Sequence, residues 1–270
     1  MKYKIIASLT TTPYRIDLLF PNILSILDQT IPIDSIEINV PYIFKRTGEE
    51  YIVPQWLIDM SENTTNDSCP VRIFRTEDYG AATKVVPTLL RHKGSDSTYI
   101  WSVDDDFEYP HNMLAVLYRE FNPNKLRVLS HSGGRWQYDQ ESKASIVNYQ
   151  SSRKEGFINF FEGFATVLYP GNLIQDDFEN YIIKASEELD CRNSDDIILS
   201  NYFVGKKASI YNVAYPYDVT RPLFNRKHSQ YSEAPDALHN QGGGNQDRYI
   251  RVYNWLVEQN LNAWYKGTTI

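Results

Sequence analysis

A chain of 270 residues, 42% hydrophobic and 23% charged, is long enough to bury a substantial core and has the balance of a soluble globular protein. Its formal charge of −7, from 27 basic and 34 acidic residues, leaves no dense lysine and arginine stripe to neutralise many phosphates, so nucleic acid is not an expected partner. No apolar run approaches the length of a membrane helix, which excludes an integral span and leaves peripheral association open. Cys69 and Cys191 are too few for a disulfide framework and lack metal-ligand spacing, which predicts a reducing compartment. The 20 tyrosines and 5 tryptophans suit core packing as well as carbohydrate or protein contacts, and their number identifies no ligand.

Lys2, Lys4 and Ile5-Ile6-Ala7-Ser8-Leu9 bear a faint likeness to a secretory leader, but the apolar run is short and stops at Thr10-Thr11-Thr12-Pro13. Residues 3–9 are therefore expected as a buried first strand. Ile16, Leu18, Leu19, Ile23, Leu24 and Leu27 recur at helical spacing, with Pro21 predicting a kink or a late start. Residues 36–40 read as a second strand stopped by Pro41, and 71–74 as a third after a polar stretch. Tyr79-Gly80-Ala81-Ala82-Thr83-Lys84 leads into a helix reaching about Arg91. A fourth strand over 98–103 ends in Asp104-Asp105-Asp106, and Met113, Leu114, Val116 and Leu117 predict the next helix. This alternation favours an α/β fold with a mostly parallel central sheet and helices on both faces, whose ligands gather beyond the carboxyl ends of the strands.

The second half reads as less regular. Residues 126–130 are expected as a strand, Ser132-Gly133-Gly134-Arg135 as an abrupt turn, and 157–169 as one or two strands around a tight point at Gly163. Helices are predicted over 176–187, from about Ser194 to Val204, and over roughly 246–259. The last follows a long irregular region at 214–245 that contains Gly242-Gly243-Gly244.

Three adjacent carboxylates repel one another and are costly to gather unless solvent, a cation or a basic partner compensates them. In an extended segment alternate side chains share a face, so Asp104 and Asp106 are expected to converge while Asp105 points away. That spacing suits a hard divalent cation, which takes carboxylate oxygens and can also hold a phosphate. The alternative is a solvated strand end, or acids capping a helix that starts near Tyr109-Pro110.

Four features, in order, resemble the nucleotide-sugar glycosyltransferases of the GT-A fold, particularly their small bacterial and viral members. They are Thr10-Thr11-Thr12-Pro13-Tyr14-Arg15 after the first strand, Asp104-Asp105-Asp106 at a strand end, Glu162-Gly163-Phe164-Ala165, and Arg192-Asn193-Ser194-Asp195-Asp196 opening a helix. The resemblance covers most of residues 1–205. It implies a single GT-A-like domain over 1–270, with a nucleotide-sugar-binding half over about 1–130, an acceptor-side half with a mobile loop over 131–245, and a C-terminal helix and tail over 246–270. The implied activity is transfer of a sugar from a nucleoside diphosphate sugar, UDP-linked first, to a hydroxyl acceptor on a glycan, with Mn2+ or Mg2+ on the diphosphate.

By the same resemblance Asp104 and Asp106 are the metal-side acids, with Asp106 the direct ligand and Asp104 alternatively on ribose or metal-bound water. Asp105 goes with the nucleotide-side residues. Asp196 is implied as the base of an inverting transfer, with Asp195 orienting the acceptor or adjusting the pKa of its neighbour. Stabilisation of a helix start capped by Ser194 is the alternative for this pair. Thr10, Thr12, Arg15 and Asp78 are implied around the base or ribose and Lys84 at the phosphates, although surface or charge-balancing roles suit each. Glu162 is placed on sugar hydroxyls and Gly163 where backbone approaches the sugar, or else at a plain tight turn.

Trp136, Phe161 and Trp101 are candidate platforms for sugar rings, Trp101 being better read as core. His239, and after it His228, are candidates for a further metal ligand. The triple glycine lacks the strand, lysine and hydroxyl of a phosphate loop and reads as a lid hinge. Other readings are retaining transfer, a nucleotidyltransferase and a noncatalytic glycan-binding module. The expected location is cytoplasmic, either free, peripheral to a membrane or virion-associated.

Overall fold

The computed structural model describes residues 3–63, 69–139, 143–150, 154–215 and 244–264. The chain opens with β1 (Lys4–Thr10), a 3-10 turn at Ile16–Leu18, helix α1 (Phe20–Leu27) and β2 (Ser35–Pro41). A small hairpin of β3 (Ile43–Phe44) and β4 (Glu49–Glu50) leads to α2 (Gln55–Glu62) and β5 (Val71–Thr76). A 3-10 turn at Gly80–Lys84 runs into α3 (Val86–Arg91), followed by β6 (Thr98–Ser102) and α4 (Met113–Tyr118). Next come β7 (Arg127–Ser130), β8 (Gly133–Tyr138), β9 (Ala144–Gln150), β10 (Gly156–Ile158), β11 (Phe160–Phe161) and, after a further 3-10 turn, β12 (Val167–Pro170). The remaining elements are α5 (Phe178–Ser186), α6 (Leu189–Arg192), α7 (Asp195–Gly205), β13 (Ser209–Asn212) and α8 (Asn245–Glu258).

Eight strands form one sheet in the order β10, β13, β7, β12, β6, β1, β2, β5. The run β6, β1, β2, β5 is parallel, as are β7 and β13, whereas β12 runs antiparallel between β6 and β7 and β10 runs antiparallel at the edge. Side-chain alternation assigns the two faces. Ile5, Ala7 and Leu9 of β1 pack into one apolar cluster with α1, α2 and α4, while Ile6 points into the other with α3, α5, α7 and α8. Helices thus cover both faces, as the strand–helix alternation predicts. Among the described residues no helix is long and apolar enough to cross a membrane.

Pro21 lies in the first turn of α1, where its missing N–H costs nothing, so the late start is the outcome. The second half is more regular than its sequence suggests, because β7, β12, β13 and β10 extend the same sheet. Gly133 and Gly134 do not form a turn; they open β8, which pairs with β9 and β11. Their bareness serves packing, since a Cβ on Gly134 would lie 2.3 Å from the ring of Phe160. Helix α2, announced only by Pro54 just ahead of it, the β3–β4 hairpin and β9 are further elements not anticipated.

Candidate active site

Ser8 of β1 pairs with Ser102 of β6 in parallel register, so the two strands leave the sheet at the same edge. Strand β12, being antiparallel, starts at that edge with Val167 opposite Ser102, which brings the Glu162–Gly163 segment there as well. Residues 98–102 are all buried, and the strand stops where the carboxylates begin. Asp105 and Asp106 lie in a turn, so strand alternation does not govern them.

The turn is pinned from beneath. The Asp104 N–H donates to the Tyr109 hydroxyl at 2.7 Å, and Asn22 Nδ2 donates to the carbonyls of Asp104 and Phe107 at 2.8 and 2.6 Å. Arg15 Nη1 then reaches Asp105 Oδ1 at 3.0 Å and Asp106 Oδ2 at 3.4 Å, and the Thr11 hydroxyl donates to Asp105 Oδ2 at 2.8 Å. Asp104 turns instead toward Lys84, whose Nζ is 3.1 Å from its Oδ1. The expected pairing of Asp104 with Asp106 is therefore replaced by Asp105 with Asp106 around Arg15. The reason is that the chain turns after Ser102 and Arg15 supplies a shared cation.

Lys84 connects this turn to the second acidic group. Its Nζ also lies 3.1 Å from Asp195 Oδ2, an ion pair without the angle of a hydrogen bond. Burial pulls the lysine toward neutrality, but Asp104, Asp195 and Asp196 outweigh it and hold the ammonium well above its ordinary pKa. Its backbone carbonyl accepts from the Ser8 hydroxyl at 2.6 Å, within a fully buried cluster that includes Asn39 and Thr88.

Asp196 opens α7 beside Asp195. Its Oδ1 accepts the Gly163 N–H and its Oδ2 the Tyr249 hydroxyl of α8, each at 2.7 Å. Burial and the charge of Asp195 push its carboxyl up to about 8, against the pull of Lys84 and Tyr249. Ser194, at the N-cap position, makes no side-chain cap bond; its hydroxyl accepts Arg248 Nε at 3.0 Å instead. The helix-start reading of this segment thus loses its serine cap, although the two acids do occupy the first turn.

The other predicted residues divide. Glu162 is buried beside the pair, bonded to Ser132 at 2.8 Å and pushed up to about 7 by burial. Gly163 does permit a close approach, but the group approaching is Lys84: a Cβ would lie 2.6 Å from its Nζ and 3.0 Å from Asp196 Oδ1. Thr10 donates to the Asn39 carbonyl at 2.7 Å, and the Thr12 hydroxyl is buried with no hydrogen-bond partner among the described residues.

Asp78 is 6% exposed, and its oxygens are engaged by the N–H groups of Lys45 and Gly80 at 2.8 and 2.7 Å and by Arg192 at 3.1 Å. It is a clamp between chain segments rather than a group facing a nucleobase. Trp136 is likewise corrected: at 5% exposure it packs against Phe160, Tyr253 and Trp264, leaving no open ring face for a sugar. Trp101 and Phe161 are fully buried. His239 and His228 lie outside the described residues. An open cleft of about 490 Å³, lined by Pro13, Tyr14, Asp17, Glu49, Glu50, Ile52 and Pro54, adjoins the 10–15 loop without including the acidic turn.

Thr11, Asn22, Tyr109 and Tyr249 touch the two acidic groups and escaped the sequence reading. Tyr249 stood out only as an apolar position with helical spacing, and nothing local marks its hydroxyl. Together the residues present two carboxylate groups facing one ammonium at a sheet edge. Such a site can receive an anion at the ammonium and accept a proton at Asp196.

A scan of protein-family models and a search of curated proteins return no match. Among solved structures, the chain is similar to one described as a crystal structure of 4-diphosphocytidyl-2C-methyl-D-erythritol synthase. The two are 14% identical at a TM-score of 0.38, the match covering 68% of this chain and 85% of that one.

Proposed function

We propose that the protein transfers a sugar from a nucleoside diphosphate sugar, UDP-linked first, to a hydroxyl group of a glycan acceptor with inversion at the anomeric carbon. One observation carries the reading: Lys84 stands 3.1 Å from Asp104 of the acidic turn and 3.1 Å from Asp195 of the acidic pair, joining a leaving-group side to an acceptor side. The order of motifs that resembles GT-A glycosyltransferases supports the same assignment.

The acidic turn suits a hard divalent cation. Burial, then the charges of Asp105 and Asp104, push the Asp106 carboxyl up to about 7 against the pull of Arg15, so a bound cation would favour its ionised form. Among the described residues no group of three His, Cys, Asp or Glu is arranged to hold a metal ion. Asp106 would be the direct protein ligand, Asp104 being held by Lys84 and so placed toward ribose or metal-bound water, and phosphate and water would fill the remaining positions, as Mg2+ prefers. Bound there, Mn2+ or Mg2+ supplies positive charge where the departing diphosphate becomes more negative.

The chain's own residues do the rest. Lys84 donates to a phosphate oxygen, and Arg15 and Thr11 keep the turn in place. In its ionised form the Asp196 carboxylate accepts the acceptor's proton as the acceptor oxygen bonds to the anomeric carbon. The bond from that carbon to the diphosphate oxygen breaks, and its electron pair leaves with the nucleoside diphosphate. Asp195 and Glu162, buried beside the base, orient hydroxyl groups.

The test is a panel of nucleotide sugars with Mn2+, read by thermal shift and by release of nucleoside diphosphate. At least one donor is expected to raise the melting temperature of the wild type and to lose that effect in Asp106→Ala. Turnover independent of divalent cation, or equal donor shifts in both proteins, contradicts the assignment of the turn.

A further inference from the structure

We infer that Tyr249 of the C-terminal helix is a positioning residue for Asp196, its phenolic O–H fixing one carboxylate oxygen while the Gly163 N–H fixes the other. Both bonds are 2.7 Å, and they come from opposite parts of the chain, so the plane of the carboxylate is set from two directions. The inference rests on the reading of Asp196 as the base and extends the catalytic machinery to α8.

The helix is fastened for this task. Within one turn of Tyr249, Arg248 donates to the Ser194 hydroxyl at 3.0 Å and Arg251 forms a two-point pair with Asp190 at 2.7 and 2.9 Å. These contacts reach the segment that leads into α7, so the helix carrying the tyrosine is tied to the start of the helix carrying the acidic pair. Tyr249 is 2% exposed, and its ring packs edge-on against Phe160 at 5.6 Å. The hydroxyl can therefore be removed while the ring stays in its packing.

The charged and titratable groups acting on Asp196 from the packed elements are Asp195, Lys84, Glu162, Tyr169 and Tyr249 itself. Of these, Lys84 and Tyr249 favour the ionised carboxylate, and the acids oppose it. A hydrogen bond from Tyr249 to the anion keeps the base ionised at lower pH than its acidic neighbours alone would allow. The tyrosine keeps its proton throughout; the acceptor's proton goes to Asp196.

The experiment compares wild type and Tyr249→Phe by 13C titration of the Asp196 carboxyl, identified as the signal missing in Asp196→Asn. In parallel, the pH profile of UDP release from UDP-glucose, UDP-galactose and UDP-N-acetylglucosamine with Mn2+ is recorded. The expected result is an upward shift of the Asp196 midpoint by about one pH unit, with the same displacement of the acidic limb of turnover. An unmoved carboxyl midpoint overturns the role of Tyr249, whatever turnover does. A moved midpoint with an unmoved turnover limb upholds the contact and instead removes Asp196 as the base. If none of the three sugars turns over, the carboxyl titration alone decides the role of Tyr249.

Discussion

Gly163 has no side chain where the two acidic groups face each other, and the space it leaves is filled by the Lys84 ammonium. An added methyl group would sit 2.6 Å from Nζ, the far end of a flexible chain, so the lysine can swing aside and the fold survive. Gly163→Ala is therefore expected to melt within a few degrees of wild type while losing turnover by about 10- to 100-fold, because Lys84 no longer spans the two groups. Equal losses of folding and activity would instead mark Gly163 as purely structural. The same scale shows the limits of local reading. Asp105 and Asp106 were visible as acids, but their pairing depends on Arg15, 90 residues earlier, whose partner no spacing rule names.

Helix α7 delivers its acids because two clamps hold its approach. Asp78, two residues after β5, binds Arg192 just before the helix, and Gly80 lies so close that a Cβ would meet the Arg192 carbonyl at 2.5 Å. Gly80 has φ +69°, a conformation that suits glycine. Removing the guanidinium leaves Asp78 buried with two backbone N–H donors and the Thr83 hydroxyl in place of a cation. Arg192→Met is expected to destabilise the fold by about 1–3 kcal/mol in denaturant titration, with donor binding retained at lower turnover. An unchanged unfolding midpoint would show that the clamp carries no energy.

Elements with strong periodicity were legible: β1, β2, β6 and α8 appear within a residue or two of their expected bounds. Gly133-Gly134 misled because glycine serves both turns and close packing, and only the position of the Phe160 ring distinguishes them. Trp136 misled for a related reason, since an aromatic suited to a sugar is equally suited to a core. Of the site, the two acidic groups and Lys84 were legible from their order along the chain. The hydroxyls of Thr11 and Tyr249 and the clamp at Asp78 were not, because each acts through a partner distant in sequence.

For the molecule as a whole, carboxyls that keep protons when folded make stability depend on pH. Burial, joined at Asp196 by the charge of Asp195, pushes Asp196 up to about 8 and Glu162 up to about 7 in the folded chain, whereas an unfolded carboxylate releases its proton at about 4. Between those values the folded state binds more protons, so stability falls as pH rises. Glu37 acts oppositely: burial raises its pKa, but the hydrogen bonds from His92 and Arg91 prevail and lower it, so its contribution is lost as pH falls through the acid range. Without ligand, the melting temperature is expected to be about 2–6 °C higher near pH 5.5 than near pH 8.5. Asp196→Asn should flatten that slope, and a melting temperature that climbs with pH would contradict the buried-carboxyl account.

The sheet brings the acidic turn, the ammonium and the acidic pair to one edge, and the central claim is that the first binds a donor while the last takes a proton. The most direct measurement is donor binding and sugar transfer side by side in wild type and Asp196→Asn, at saturating Mn2+ and with whichever nucleotide sugar the panel identifies. The account predicts an unchanged donor thermal shift and a loss of transfer of about 10²- to 10⁴-fold. Transfer at the wild-type rate in Asp196→Asn would contradict it.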